Sequence, residues 1–267
     1  MKKPREKKLF LLDMDGTLYL GDHLFPCTMP FLENIKKNGG KYLFLTNNSS
    51  KSAASYVKKL KKLGIETTID DFVTSVNATC RYLLSNHKNE KIYVFGTASF
   101  QKELKESGLN ITTKPEEDVS VLVIGFDTEL TFEKLEHACI LLGRGVKFVA
   151  TNPDWVCPTP YGSVPDCGSV CEMLFRATGC RPKVIGKPQP DMVYMALEKE
   201  GCAPEDALLI GDRLYTDIAC GNAAGIDTAF VLSGEGTRAD IAKTGVNPTY
   251  VLQDVGEIFK EKAPLQD

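Results

Sequence analysis

Short apolar runs alternate with amphipathic stretches along nearly the whole of the 267-residue chain. That alternation restricts the fold more than any other feature. Lys8–Leu12 reads as a continuous buried-type strand that ends on Asp13-Met14-Asp15-Gly16-Thr17. A helix over Met29–Asn38 stops at Gly39-Gly40, where glycine readily takes the left-handed conformation that closes a helix. Tyr42–Leu45 is the next strand and ends on Thr46-Asn47-Asn48-Ser49-Ser50. Ala54, Val57, Leu60 and Leu63 then recur at helical spacing up to Gly64. Strands apolar on both faces and separated by helices predict a parallel sheet covered by helices.

A second unit opens near Ser75. Its pattern predicts helix Val76–Ser85, strand Lys91–Phe95, helix Ser99–Ser107, strand Val119–Gly125, helix Phe132–Gly143 and strand Lys147–Ala150. A long loop rich in proline, glycine and cysteine, Thr151–Gly168, leads to a short helix, Ser169–Thr178. After Arg181-Pro182 the first pattern resumes: strand Lys183–Ile185, the loop Gly186-Lys187-Pro188, helix Asp191–Glu200 and strand Ala207–Ile210. A helix ending at Ala224 and strands near Thr228–Leu232 and Thr249–Leu252 complete it. At about 150 residues per domain the length gives about 1.8 domains, one large or two modest.

Composition removes several classes. Hydrophobic residues are 43% and charged residues 25%, an ordinary globular mix. The net charge of −3 leaves no positive excess for a nucleic-acid backbone. The basic start, Met1–Lys8, precedes only four apolar residues, whereas a signal peptide needs about 7–15. No stretch approaches the roughly 18 apolar residues of a membrane span. A cytoplasmic protein with no nucleic-acid or membrane partner is expected. Its nine cysteines are then reduced, and they lack the paired spacing of zinc sites. No spacing ties His23, His87 or His137 to a thiol, so packing is the expected role of the cysteines.

The chemistry gathers at strand ends, where parallel α/β sheets place their sites. One strand offers Asp13 and Asp15, the next Thr46 and Asn47, a later one Lys187, and another Asp212 with Asp217 at the following helix. Neighbouring carboxylates repel one another, and a divalent cation removes that repulsion. Oxygen-only ligands select Mg2+ over zinc, and Mg2+ so held completes its shell with water and a substrate phosphate. Lys187 adds positive charge; Thr46 and Asn47 add neutral donors. One carboxylate must attack phosphorus to form an aspartyl phosphate, and a second must donate and later accept a proton. Two acids two residues apart can share that work only if the chain turns sharply. Gly16 permits the turn, and a hydrogen bond from Thr17 is expected within it.

Taken in order, Asp13-Met14-Asp15-Gly16-Thr17, Thr46-Asn47-Asn48, Gly186-Lys187-Pro188 and Gly211-Asp212-Arg213-Leu214-Tyr215-Thr216-Asp217 resemble the four motifs of the haloacid dehalogenase (HAD) superfamily of phosphohydrolases. The inserted second unit, Ala150-Thr151-Asn152-Pro153-Asp154 and Leu232–Arg238 resemble the branch with a large α/β cap, which includes NagD-like, nitrophenylphosphatase-like and nucleotide-monophosphatase-like enzymes. The resemblance implies an α/β fold: a Rossmann-like parallel-sheet core of residues 1–76 and 183–267, with an inserted α/β cap domain, residues 77–182, that sets substrate specificity. It implies Asp13 as nucleophile and metal ligand, and Asp15 as general acid/base that lends its backbone carbonyl to Mg2+. It implies Asp212 as the second carboxylate ligand, Asp217 in the outer shell, and Thr46, Asn47 and Lys187 around the phosphoryl group. Caps of this type can also pair subunits into a homo-oligomer.

The activity so implied is hydrolysis of a small phosphorylated metabolite, with p-nitrophenyl phosphate also turned over. Asp15 argues for phosphoryl transfer over dehalogenation. Sugar phosphates, nucleoside monophosphates, glycerol phosphate and pyridoxal phosphate remain open as substrates. A phosphomutase and an aspartyl-phosphate signalling module are the alternatives. Asn152, Asp154, Tyr161, Asp166 and Ser169 are candidate contacts to the leaving group, in a cap whose Pro160–Ser169 stretch is unusual for the branch.

Overall fold

The computed structural model describes residues 2–159 and 161–260. Sequence readings that fall on Met1, Pro160 and residues 261–267 lie outside the described residues. In chain order the elements are β1 (Leu9–Leu12), β2 (Tyr19–Leu20), β3 (His23–Leu24), α1 (Thr28–Lys37), β4 (Lys41–Thr46), α2 (Ala53–Lys62), β5 (Phe72–Thr74), α3 (Ser75–Asn86), β6 (Lys91–Phe95) and α4 (Ala98–Glu106). Then come β7 (Ile111–Thr112), β8 (Val119–Ile124), α5 (Phe132–Gly143), β9 (Lys147–Ala150), β10 (Val156–Thr159), β11 (Gly162–Pro165), α6 (Cys167–Thr178) and β12 (Lys183–Val184). The chain finishes with α7 (Asp191–Glu200), β13 (Ala207–Gly211), α8 (Ala219–Ala224), β14 (Asp227–Val231), α9 (Arg238–Thr244) and β15 (Tyr250–Leu252).

Two compact units result. The first holds the residues up to Leu45, Leu63–Ile65 and the residues from Val193 on; the second holds Thr46–Lys62 and Glu66–Met192. In the first, five strands lie side by side in the order β15-β14-β13-β1-β4, all parallel. All four residues of β1 are buried, which accounts for their uniform apolarity. The register pairs Leu12 with Ile210 on one side and Phe44 on the other, and the Asp13 amide donates to the Ile210 carbonyl at 2.9 Å. Asp13 and Gly211-Asp212 therefore leave the sheet side by side at its carboxyl edge.

In the second unit β12-β9-β8-β6-β7 form a second parallel sheet. Its core packs Tyr93, Phe95, Leu122, Ile124, Leu141 and Leu174 together with Cys167 and Cys171. Those two sulfurs lie 4.0 Å apart, and their mutual hydrogen bond and burial hold the Cys167 thiol well above its usual pKa. A neutral buried thiol of this kind packs as a small hydrophobe.

The short strands β2, β3, β5 and β7 have no counterpart in the sequence reading, and the structure departs from it in three further places. The long loop expected over Thr151–Gly168 contains an antiparallel hairpin of β10 and β11. Its prolines mask the signal, yet a two-stranded ribbon has edges on both sides and tolerates residues without an N–H. Helix α6 begins at Cys167 because Asp166 accepts a hydrogen bond from the Cys167 amide. Helix α9 is absent from the sequence reading, although Thr237 and Asp240 form the reciprocal capping pair that marks a helix start. No helix among the described residues is long and apolar enough to cross a membrane.

Candidate active site

The first unit gathers carboxylates. Asp13, Asp212 and Asp217 each offer a ligand oxygen, and these oxygens lie within 4.8 Å of one another. Asp13 follows β1 and Asp212 follows β13. Asp217 stands on a π-helical turn, Leu214–Ile218, that runs into α8. Wide turns of this kind recur at functional sites. The Asp217 carboxylate accepts from the Arg213 amide at 3.1 Å.

Asp212 is the most constrained of the three. It is buried; one oxygen accepts from the Glu235 amide at 2.7 Å, and the other, Oδ1, is buried with no hydrogen-bond partner. Burial first, then the charges of Asp13 and Asp217, push its carboxyl up to about 8. A buried acceptor without a donor costs roughly 1–3 kcal/mol, more when charged. Such a cost is expected where a bound group normally satisfies the atom. An all-oxygen set with one orphaned carboxylate oxygen suits a hard divalent cation of the Mg2+ type.

Glycines make room for this cluster. A Cβ on Gly211 would collide with the Asp217 carboxylate, and one on Gly16 or Gly234 with that of Asp212. Gly16 also has φ +86°, a conformation other residues rarely adopt. The Ser233 hydroxyl donates to the Gly16 carbonyl at 2.8 Å, and the Gly236 amide donates to the Asp212 carbonyl at 3.1 Å. The loop Ser233–Gly236 thus helps to build the site. In the sequence that stretch serves only as a family resemblance, although its Gly-Glu-Gly pattern carries the signal. Asp15 is half-buried at the turn, which closes through the Gly16 amide on the Tyr19 carbonyl at 2.7 Å. Thr17 bonds within the turn through its backbone: its N–H donates to the Met14 carbonyl at 3.2 Å, while its hydroxyl is buried with no hydrogen-bond partner.

The second unit holds Thr46, Asn47 and Lys187, all buried. The Asn47 amide clasps the Lys187 backbone from both sides: Nδ2 donates to its carbonyl and Oδ1 accepts from its N–H, both at 2.9 Å. The Asn48 amide donates to Thr46 Oγ1 at 3.2 Å. Gly186 is required by the clasp, since a Cβ there would press on the Thr151 carbonyl and Asn47 Oδ1. Of the five leaving-group candidates, Asn152, Asp154 and Asp166 are buried and bonded to one another. The Ser169 hydroxyl donates to the Trp155 carbonyl at 2.5 Å, and Tyr161 is 83% exposed between β10 and β11.

Family models describe residues 10–110 as a haloacid dehalogenase-like hydrolase and residues 184–258 as HAD-hydrolase-like. The chain belongs to the haloacid dehalogenase-like hydrolases. Within that family it is 34% identical over 252 residues to an acid sugar phosphatase of Staphylococcus epidermidis, covering 94% of this chain and 96% of that one. Among solved structures it is similar to a 4-nitrophenylphosphatase from Thermotoga maritima, with TM-score 0.90 and 39% identity over 97% of this chain and 98% of the other. A glycerol phosphate phosphatase from Mycobacterium tuberculosis, solved in complex with magnesium, superposes with TM-score 0.90 at 30% identity, covering 98% of this chain and 79% of that one. The HAD-like chain is accordingly a phosphatase with the α/β architecture expected from its sequence.

Proposed function

We propose that this phosphatase hydrolyses small phosphomonoesters by a Mg2+-dependent route through an aspartyl phosphate on Asp13. The observation that carries the reading is the Asp13–Asp212–Asp217 cluster with its buried, unpartnered Asp212 oxygen. Asp13, Asp212 and the Asp15 backbone carbonyl would hold the metal, with Asp217 supporting them. When bound, Mg2+ offsets the carboxylate charges and draws electron density from the phosphoryl oxygens.

The residues divide the chemistry. An Asp13 carboxylate oxygen attacks phosphorus, the bond from phosphorus to the leaving oxygen breaks, and the Asp15 carboxyl gives that oxygen its proton. Asp15 then takes a proton from water; the water oxygen attacks phosphorus, the Asp13–phosphorus bond breaks, and inorganic phosphate leaves. Lys187 and Thr46 hold the phosphoryl oxygens, and Asn47 keeps the Lys187 backbone in place. Residues 77–182 act as the cap that selects the leaving group. Names of the relatives support a small phosphomonoester as substrate class, since they act on sugar phosphates, 4-nitrophenyl phosphate and glycerol phosphate.

The test is Asp13→Asn with p-nitrophenyl phosphate. Turnover should fall by roughly a thousandfold or more, with an unchanged circular dichroism spectrum, because the amide is not a nucleophile. Chelation should stop the parent enzyme and added Mg2+ restore it. Near-parental turnover in the variant refutes the assignment.

A further inference from the structure

The carboxyl edge of a parallel sheet is where α/β proteins ordinarily seat a ligand. In the second unit that edge is filled by the chain's own segment Asn47–Ser50. Four strands of the unit's sheet reach it through the residues just past their ends. After β6, the Thr97 hydroxyl donates to the Ser50 carbonyl at 3.2 Å. After β8, the Phe126 amide donates to the Ser49 hydroxyl at 2.7 Å. After β9, the Thr151 hydroxyl pairs with that of Ser49 at 2.9 Å. After β12, the Lys187 backbone meets the Asn47 amide. Gly125 must be glycine for this, because a Cβ there would crowd the Ser49 hydroxyl.

Asp154 completes the arrangement. One of its oxygens accepts from Asn47 Nδ2 and from Asn152 Nδ2, each at 2.8 Å. Asn152 is itself held by Asp166 at 3.1 Å and by the Thr151 hydroxyl at 2.8 Å. The orientation of the Asn47 amide is thereby decided. With Nδ2 turned to a carboxylate oxygen, Oδ1 is left to receive the Lys187 N–H, and the reverse orientation would set an oxygen against Asp154. Asp154 is 3% exposed, and charge-assisted bonds in such surroundings are stronger than bonds between neutral groups.

We propose that Asp154 is a positioning residue for phosphoryl binding, acting through the Asn47 amide to fix the backbone of Lys187. The phosphate-gripping segment is then scaffolded by the sheet of the inserted unit, and residues that the sequence suggests as leaving-group contacts work on the phosphoryl end of the substrate. This inference rests on the reading of Lys187 as a phosphoryl ligand.

The experiment compares Asp154→Ala, Asp154→Asn and Lys187→Ala. It measures kcat and KM for p-nitrophenyl phosphate, the inhibition constant of inorganic phosphate, and the melting temperature with and without Mg2+. In Asp154→Ala the inhibition constant and KM should rise about tenfold or more, as expected for loss of a charge-assisted bond. Asp154→Asn keeps an acceptor oxygen and should restore most of the affinity. The Mg2+-induced rise in melting temperature should persist in both Asp154 variants, because the carboxylate cluster is untouched. A purely structural role would lower the melting temperature with unchanged phosphate inhibition, and that result overturns the inference. Should Asp154→Ala not fold, Asn152→Ala removes one donor to the same oxygen and should raise the phosphate inhibition constant about threefold; an unchanged constant there also overturns it. Unchanged turnover and phosphate inhibition in Lys187→Ala overturn the underlying reading itself. Loss there, with Asp154→Ala at parental affinity, overturns the positioning role alone.

Discussion

Replacing Asp212 by asparagine should make the metal-free protein more stable while destroying its response to Mg2+. The carboxyl is pushed up to about 8 from its ordinary value of 3.8 by burial and by Asp13 and Asp217. The native state therefore holds a proton that the unfolded chain releases near neutral pH. Its contribution is intact below about pH 3.8 and is lost progressively as pH rises toward 8. Near pH 7, at about 1.36 kcal/mol per unit, the penalty is on the order of 4 kcal/mol. An amide carries none of it. The introduced asparagine can still accept from the Glu235 amide, and its NH2 can donate toward the neighbouring carboxylates. At roughly 2–4 °C per kcal/mol for a chain of this size, the variant should melt about 8–16 °C above the parent in chelator near pH 7. The gap should narrow toward pH 4. In Mg2+ the gap should shrink to about 1 kcal/mol, since a ligand at a hundredfold over its dissociation constant adds about 2.7 kcal/mol to the parent alone. Thermal denaturation followed by circular dichroism, in chelator and in Mg2+ at several pH values, measures both effects. A variant that melts below the parent in chelator, or that gains as much from Mg2+, refutes the reasoning.

Two further outcomes follow from the same geometry. Asp15→Asn should lower steady-state turnover by about 10²–10⁴. p-Nitrophenolate departs readily without a proton, so rapid mixing should show a burst of about one equivalent of it, followed by slow hydrolysis. Gly234→Ala drives a methyl group into the Asp212 carboxylate and should cost about 1–3 kcal/mol of stability. It should also shift the Mg2+ titration of the melting temperature to higher concentration, and that titration checks it.

Much of the candidate site is legible because its carboxylates follow strands that are apolar and buried on both faces. Leu9–Leu12 is buried throughout, so the first polar residues after it, Asp13 and Asp15, have to mark the sheet's edge. The same logic finds Asp212 after β13 and Thr46 as the last residue of β4, whereas Lys187 follows the two-residue β12, whose Lys183 is exposed. Turn chemistry is less legible. Thr17 bonds within its turn as expected, but through its backbone N–H to the Met14 carbonyl, and its hydroxyl lies buried without a partner. Helix α9 escapes the sequence reading although its capping pair stands in the sequence, because only seven residues follow it. The hairpin of β10 and β11 is hidden by prolines that a central strand would exclude.

The sequence by itself determined the alternating architecture and the residue types at the strand ends, since periodicity, strand-end polarity and glycine stops are local properties. Which groups meet was decided only by tertiary structure. Asp13 reaches Asp212 because the register of β1 on β13 aligns them, and Asp154 orients Asn47 across 107 positions of sequence. The glycines at 16, 211 and 234 acquire their meaning the same way, from carboxylates that approach too closely for a side chain. Pairing register and close approach depend on how separate elements pack, and no local pattern encodes them.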